Sequence, residues 1–150
     1  MTTIEPALTL QDSFFVAGIG IRTTNQDGRA QKEIGDLWAT FMSENIKGKI
    51  PAKYSEDVYC VYTDYETDHT GWYTTVLGYR VREAGHNGMF VALVPSGNYK
   101  QYKPQGQLAD SIGEAWMQIW NGGEGRSYVA DYDIYRPDGG VEIYVGMNQD

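Results

Sequence analysis

The sequence has very little sulfur or imidazole chemistry, with one cysteine, Cys60, and two histidines in 150 residues. A single cysteine excludes an intramolecular disulfide and a cysteine-rich metal site. Cys60 lies within the apolar run 58–62, which favours a small buried residue over a reactive thiol. The acidic segment 64–69 superficially resembles an EF-hand loop, but His69 and Thr75 stand where that loop needs glycine and glutamate. The sequence therefore predicts no metal ion and no cofactor.

Long apolar runs and an excess of basic residues are also missing. No window approaches the ~20 apolar residues of a membrane span, and the N-terminus has neither a basic start nor an apolar signal core. We therefore expect a cytoplasmic protein without membrane attachment. Lys and Arg number 12 against 20 Asp and Glu, which gives a net charge of −8. This balance argues against direct binding of nucleic acid, which needs a basic face, and it favours the approach of cations.

The sequence is rich in glycine and tyrosine, with 18 and 12 residues, as is typical of short strands joined by tight turns. Its length suits one domain, 1–150. The periodicity of apolar residues predicts strand, helix, strand and strand twice over. The predicted elements are strands 14–24, 58–65, 72–82, 89–94 with an extension to 102, 128–135 and 141–147, and helices 29–46 and 108–120. We predict an α+β fold of two β-α-β-β pseudo-repeats, about 13–83 and 88–147, with one helix per half on an antiparallel sheet.

The two halves also share short stretches of similar sequence. Residues 37–41 of the first helix parallel 115–119 of the second, and 62–65 parallel 132–135. In the same way 71–76 parallel 140–145, which makes Tyr73 the counterpart of Glu142. If these stretches come from a duplication, a ligand cleft is expected between the halves.

The last predicted strand contains the most informative side chains. Glu142 and Tyr144 alternate with three apolar residues and therefore lie on the opposite face from them. If that face is plain solvent, neither residue needs a function. If it lines the cleft, Glu142 is a carboxylate among aromatic rings, which favours pairing with an organic cation. Tyr73 would then lie on the same kind of face, Tyr59 would join it from the neighbouring strand, and Trp116 would form the pocket floor.

Several stretches together resemble the effector-binding domains of the GyrI-like superfamily, and within it the integron-associated effector-binding proteins. The stretches that carry the resemblance are 36–41, 50–53, 58–74, 94–99, 132–135 and 141–145. The resemblance covers about residues 14–147. It implies two β-α-β-β halves with a cleft between them that takes small hydrophobic, often cationic, compounds. It also implies that Glu142 matches the family's last-strand carboxylate and that Asp133 stands where many members have glutamate. Asp131 is a further candidate ligand-binding residue.

Many such domains are the sensor half of a transcription regulator, but too few residues precede the first predicted strand for a DNA-binding helix-turn-helix. The sequence therefore predicts a free-standing, non-catalytic module that binds an amphipathic organic cation and acts alone or with a separate regulator protein. Two alternatives stay open. One is a small-molecule hydrolase in which Glu142 is the base and a tyrosine the acid. The other is a protein-interaction module that inhibits its partner through its acidic surface.

Overall fold

The computed structural model describes residues 7–50, 53–68, 70–82, 88–103, 108–122 and 125–148, with the backbone alone for 108–114. In chain order its elements are β1 (Ala7–Gln11), β2 (Phe14–Thr24), α1 (Arg29–Ser43), α2 (Ile46–Lys49), β3 (Lys53–Thr63), β4 (Trp72–Val81), β5 (Phe90–Val94), β6 (Gly97–Tyr102), α3 (Leu108–Asn121), β7 (Arg126–Tyr135) and β8 (Val141–Met147). The predicted α+β class is confirmed. None of the helices in the described ranges combines the length and the apolar character that crossing a lipid bilayer requires.

All the strands join one antiparallel sheet in the order β1-β6-β8-β7-β3-β4-β2-β5. β3 and β7 pair at its centre, where Cys60 lies opposite Asp133. From this pair, β4 and then β2 follow β3 towards one edge of the sheet, and β8 and then β6 follow β7 in the same way towards the other edge. The antiparallel sheet predicted from the sequence is therefore confirmed, with α1 after β2 and α3 after β6.

The outermost strand of each half comes from the other part of the chain. β1 precedes β2 in the sequence but pairs with β6, and β5 precedes β6 but pairs with β2. The sequence did not predict β1, and it placed residues 89–94 as the first strand of the second half, which is wrong. A bend at Ser96 and Gly97 (φ 148°) lets the chain cross from β5 to β6, and β6 takes the position that the pattern had given to β5.

The helices follow the predicted apolar spacing. α1 buries Ala30, Leu37 and Phe41 against the sheet. It ends at Ser43 rather than near residue 46, because Asn45 adopts a left-handed conformation (φ 50°) that breaks the helix before α2. α3 covers the predicted range and buries Ala115 and Ile119.

The two faces of the sheet differ in what covers them. On the face that we call the helix side, α1 and α2 pack on the part of the sheet that contains Cys60, Leu77 and Tyr79. α3 packs on Ile143 and Val145 of the same face. The other face, which we call the open side, has its own cluster of buried residues, and every member comes from a strand: Phe14, Val16, Tyr59, Val61, Val76, Ala92, Val94, Tyr99, Tyr132, Ile134 and Tyr144.

β2 and β4 approach each other closely at a pair of glycines. Gly18 lies opposite Gly78 in the register. A Cβ atom added to Gly78 would overlap the carbonyl oxygen of Ala17, and one added to Gly18 would overlap that of Leu77. Because backbone atoms of two paired strands cannot move apart without losing their hydrogen bonds, this position accepts only glycine.

We expect Gly78→Ala to destabilise the protein by about 1–3 kcal/mol, because the added methyl group must displace the backbone of β2. In thermal unfolding, this corresponds to a midpoint lowered by roughly 3–10 °C. Gly35→Ala is the matched control. Gly35 lies in α1, where an added Cβ meets no atom within 4 Å, so this change should stabilise by about 0.5–1 kcal/mol. Equal midpoints for the two variants would contradict the close approach.

Candidate functional site

A buried carboxylate that is bonded to neutral donors lies at the centre of the helix side. Asp133, on β7, is 0% exposed. The Tyr62 and Tyr135 hydroxyls donate to its Oδ2 atom over 2.7 and 3.2 Å, and the Trp116 indole N–H donates to Oδ1 over 3.2 Å. Among the described residues, no lysine or arginine bonds to Asp133. Neutral donors alone therefore compensate its charge.

Three aromatic side chains bond to this carboxylate, and a fourth, that of Trp38, packs against one of them. Trp38 of α1 packs edge-on against Tyr135 with ring centroids 4.8 Å apart. Trp116 of α3 packs edge-on against Tyr62 at 5.3 Å. The two contacts are related by an approximate two-fold axis at the Cys60–Asp133 pair, which also exchanges the two halves of the sheet. All four rings are half-buried, and we call them, with Asp133, the aromatic box.

The surroundings of Asp133 control its ionisation. Burial raises the pKa of Asp133 to about 7, although the hydrogen bonds from Tyr62, Tyr135 and Trp116 act in the opposite direction. Burial also raises the pKa of the Tyr62 and Tyr135 hydroxyls, which therefore stay protonated as donors. At neutral pH the carboxyl group is only partly ionised. A cation placed beside it would favour the ionised form.

Glu142 and Tyr144 lie on the open side, and Glu142 already has an internal cation. Arg136 donates to both carboxylate oxygens of Glu142 over 3.1 Å and also binds Asp57 at 2.6 Å. The Tyr144 hydroxyl and the Gln101 amide donate to the same carboxylate over 2.7 and 3.1 Å. Desolvation would raise the pKa of Glu142, but the hydrogen bonds from Tyr144 and Arg136 outweigh it and hold the pKa below its usual value.

Asp131 belongs to a closed internal network. It is fully buried and forms an ion pair with the buried Arg126 at 2.8 Å. The backbone N–H of Gly146 donates to its other oxygen over 2.8 Å, and the Tyr65 hydroxyl donates to the oxygen that faces Arg126. Both oxygens are therefore engaged within the fold. Such a pair stabilises the fold only while both partners are present, which indicates a structural role.

The six site residues predicted from the sequence are divided between the two faces. Tyr59, Glu142 and Tyr144 lie on the open side, and Trp116, Tyr73 and Asp131 lie on the helix side or at its border. Of these, Trp116 alone contacts Asp133. The structure therefore does not assemble the six residues into one cleft.

The prediction that Tyr73 shares a face with Glu142 is wrong, and the register shows why. With Cys60 related to Asp133, the neighbouring residues Leu77 and Ile143 correspond. The internal alignment that equated Tyr73 with Glu142 is then out of step by three residues. An odd slip places a side chain on the opposite face of a strand. The Tyr73 hydroxyl donates to Asn25 on the helix side over 2.6 Å.

Sequence reasoning missed three rings of the aromatic box, Trp38, Tyr62 and Tyr135. Trp38 has helical spacing with aliphatic residues, a pattern that by itself predicts a core residue. A usable signal was present on β7, because Tyr135 follows Asp133 by two residues and therefore shares its face. Tyr62 follows Cys60 by the same interval. The register that joins them could not be read from either strand alone.

The model of the integron-associated effector binding protein family matches residues 8–148. This match spans almost the entire sequence. The chain belongs to this family. No curated protein matches the sequence.

Solved structures share the fold of this family member over nearly its whole length. An integron cassette protein from Vibrio cholerae is 25% identical, covers 95% of both chains and has a TM-score of 0.76. SAV2435, solved bound to tetraphenylphosphonium, is 15% identical over 96% of this chain and 94% of that one, with a TM-score of 0.79. A putative bacterial transcription regulation protein from Staphylococcus aureus is 13% identical over 98% and 100%, with a TM-score of 0.79. The last two comparisons show the fold alone.

We expect Asp133→Asn to remove a pH dependence of stability. The folded-state pKa of about 7 exceeds the usual 3.8, so the folded protein holds a proton that the unfolded chain releases between those values. The contribution of Asp133 therefore falls as pH rises, by about 2 kcal/mol between pH 5 and 8. Chemical denaturation of both proteins at several pH values measures this difference. The free energy of unfolding of the variant should increase relative to that of the wild type as pH rises. A difference that does not change with pH would contradict a buried carboxylate of raised pKa.

Proposed function

We propose that this effector-binding protein takes an amphipathic organic cation into the aromatic box, with Asp133 as the counter-charge. The observation that carries the proposal is a buried carboxylate to which three aromatic side chains, and no basic side chain in the described part of the chain, are bonded. A cation completes this arrangement, because it pairs with the carboxylate while its apolar groups contact the rings. Each ring face adds about 0.5–2 kcal/mol of attraction for a cation.

The positions of the three donors define how the ligand enters. Tyr62 and Tyr135 belong to the central strands β3 and β7, which pair with each other and with neighbours on both sides. Trp116 belongs to α3 and covers Asp133 from the helix side. Movement of Trp116 frees the Oδ1 atom and leaves the two tyrosine hydroxyls in place. The cation then replaces the indole N–H and lies between the rings of α1 and α3.

The surroundings of Glu142 and Tyr144 favour binding over catalysis. A hydrolase that used Glu142 as base and Tyr144 as acid would need a carboxylate of raised pKa and a phenol of lowered pKa. The pKa of Glu142 is lowered instead, and burial and the Glu142 charge raise that of Tyr144. A non-catalytic role is therefore part of the proposal. The complex of the structural neighbour SAV2435 with tetraphenylphosphonium supports the ligand class by analogy of fold. A separate regulator protein as partner and a cytoplasmic location stay predictions.

We expect tetraphenylphosphonium to bind the wild-type protein and to lose about 10–100-fold in affinity with Asp133→Asn, because the variant keeps the shape but not the charge. Glu142→Gln is the matched control and should change the affinity by less than about threefold, since Arg136 already neutralises Glu142. Isothermal titration calorimetry with quenching of tryptophan fluorescence measures both. Triphenylphosphine oxide, a neutral compound of similar shape, should bind wild type and Asp133→Asn alike. If Glu142→Gln alone lost affinity, the site would lie on the open side instead. Chemical conversion of a bound compound would indicate an enzyme.

We also expect the affinity for tetraphenylphosphonium to depend on pH. The cation binds the ionised carboxylate, whose proton is retained below about pH 7 in the free protein. The affinity should therefore fall towards tenfold for each pH unit below about 6.5 and become constant above about 8. Titrations between pH 5.5 and 8.5 measure this slope. Asp133→Asn should show no such slope, and a flat profile for the wild type would rule out Asp133 as the counter-charge.

A further inference from the structure

A pocket of about 250 Å³ lies on the open side of the sheet. Its floor consists of four buried aromatic rings, those of Phe14, Tyr59, Tyr132 and Tyr144. Phe14 packs edge-on against both Tyr59 and Tyr132 at 5.6 and 5.3 Å, and Tyr132 stacks on Tyr144 at 4.7 Å with the rings 11° from parallel. The floor is therefore a continuous aromatic surface fixed by contacts between neighbouring strands.

Two arginines border this pocket, and their charges are used differently. Arg136 is neutralised, because it bonds to both Asp57 and Glu142. Arg80 lies against the rings of Phe14 and Tyr54, with its central carbon 4.6 and 4.4 Å from the ring centroids. Among the described residues, no carboxylate lies within ion-pair distance of Arg80.

The stacking of Arg80 leaves most of its hydrogen-bonding capacity available. A guanidinium group that stacks on a ring uses its face, whereas its N–H donors point outwards in the plane. Tyr59 lies beside this group; burial raises the pKa of its hydroxyl, while the Arg80 charge acts in the opposite direction. The N–H donors of Arg80 form a fork that matches the two oxygens of a carboxylate. The pocket thus combines an aromatic floor with one unneutralised, half-buried guanidinium group.

We propose that the open side holds a second site that binds a small aromatic carboxylate, with its ring on the tyrosine floor and its carboxylate on Arg80. Pockets for drug-sized ligands have volumes of about 300–1,000 Å³. This pocket is smaller, so the ligand has one or two rings. A cation is a poor ligand here. Both carboxylates at the border, Asp57 and Glu142, already bind Arg136, and Arg80 would repel a second positive charge.

The test uses indole-3-carboxylate and its neutral analogue indole-3-carboxamide, titrated by calorimetry into the full chain. We expect the acid to bind the wild type at least about tenfold more tightly than the amide, because a charge-assisted bond to the guanidinium group forms with the acid alone. Arg80→Gln should lower the affinity for the acid by about tenfold or more and leave the affinity for the amide unchanged. Arg82→Gln is the matched control, because Arg82 also approaches Tyr54, at 5.0 Å, but is exposed and does not line the pocket.

Further measurements separate this site from the aromatic box. Asp133→Asn should bind indole-3-carboxylate like the wild type, and Arg80→Gln should bind tetraphenylphosphonium like the wild type. Arg80→Lys keeps the charge without the fork and should lose several-fold, which tests the site if the glutamine variant does not fold. Absence of binding at millimolar acid, equal affinities for acid and amide, or equal losses in Arg80→Gln and Arg82→Gln would each overturn the proposal. Loss of acid binding in Asp133→Asn would overturn it as well.

Discussion

The pairing of β3 with β7 in a register that places Cys60 opposite Asp133 is the constraint on which the rest of the structure depends. Side chains alternate between the two faces along a strand, so this register alone decides which residues of the two central strands meet. It places Tyr62 and Tyr135 on the helix side, beside Asp133. It places the rings of the open-side pocket on the opposite face. A slip of one residue would exchange the two sets and dismantle both sites.

Three carboxylates lie within twelve residues on β7 and β8, and their partners give them different roles. Asp131 is held by Arg126, and Glu142 is held by Arg136. Asp133 alone of these three has neutral donors in place of a cation. A buried carboxylate without a cation costs free energy of folding, and its raised pKa expresses that cost. Residues of this kind are typical of functional sites, where a bound ligand can provide the opposite charge. The pattern of partners, rather than the presence of an acidic residue, identifies the site.

The sequence carried enough information for the class of the fold and for the residue types of the proposed site, but not for its position in the sheet. Periodicity was sufficient for α1 and α3, because each buries one apolar stripe that repeats every three or four residues. It was not sufficient for β1, a five-residue strand at the sheet edge whose partner β6 lies about ninety residues away in the sequence. The pairing of Glu142 with Arg136 was not predicted from the sequence. Yet the hairpin in which the Arg136 and Gly140 backbones bond to each other brings that arginine beside Glu142, and a turn of this kind is visible in the sequence.

The donors around Asp133 come partly from strands and partly from a helix, and in the proposed site the two sources have different effects on which ligand binds. Tyr62 and Tyr135 belong to strands that are paired on both edges, which holds their backbone in place. Preorganised donors lower the cost of binding, because little side-chain freedom remains to be lost. Trp38 and Trp116 come from helices that lie on the sheet through apolar contacts, which adjust more readily than a hydrogen-bonded strand. In the proposed site, the strands therefore determine the preference for a positive charge. The two helices, by their separation, determine which apolar groups that charge can carry.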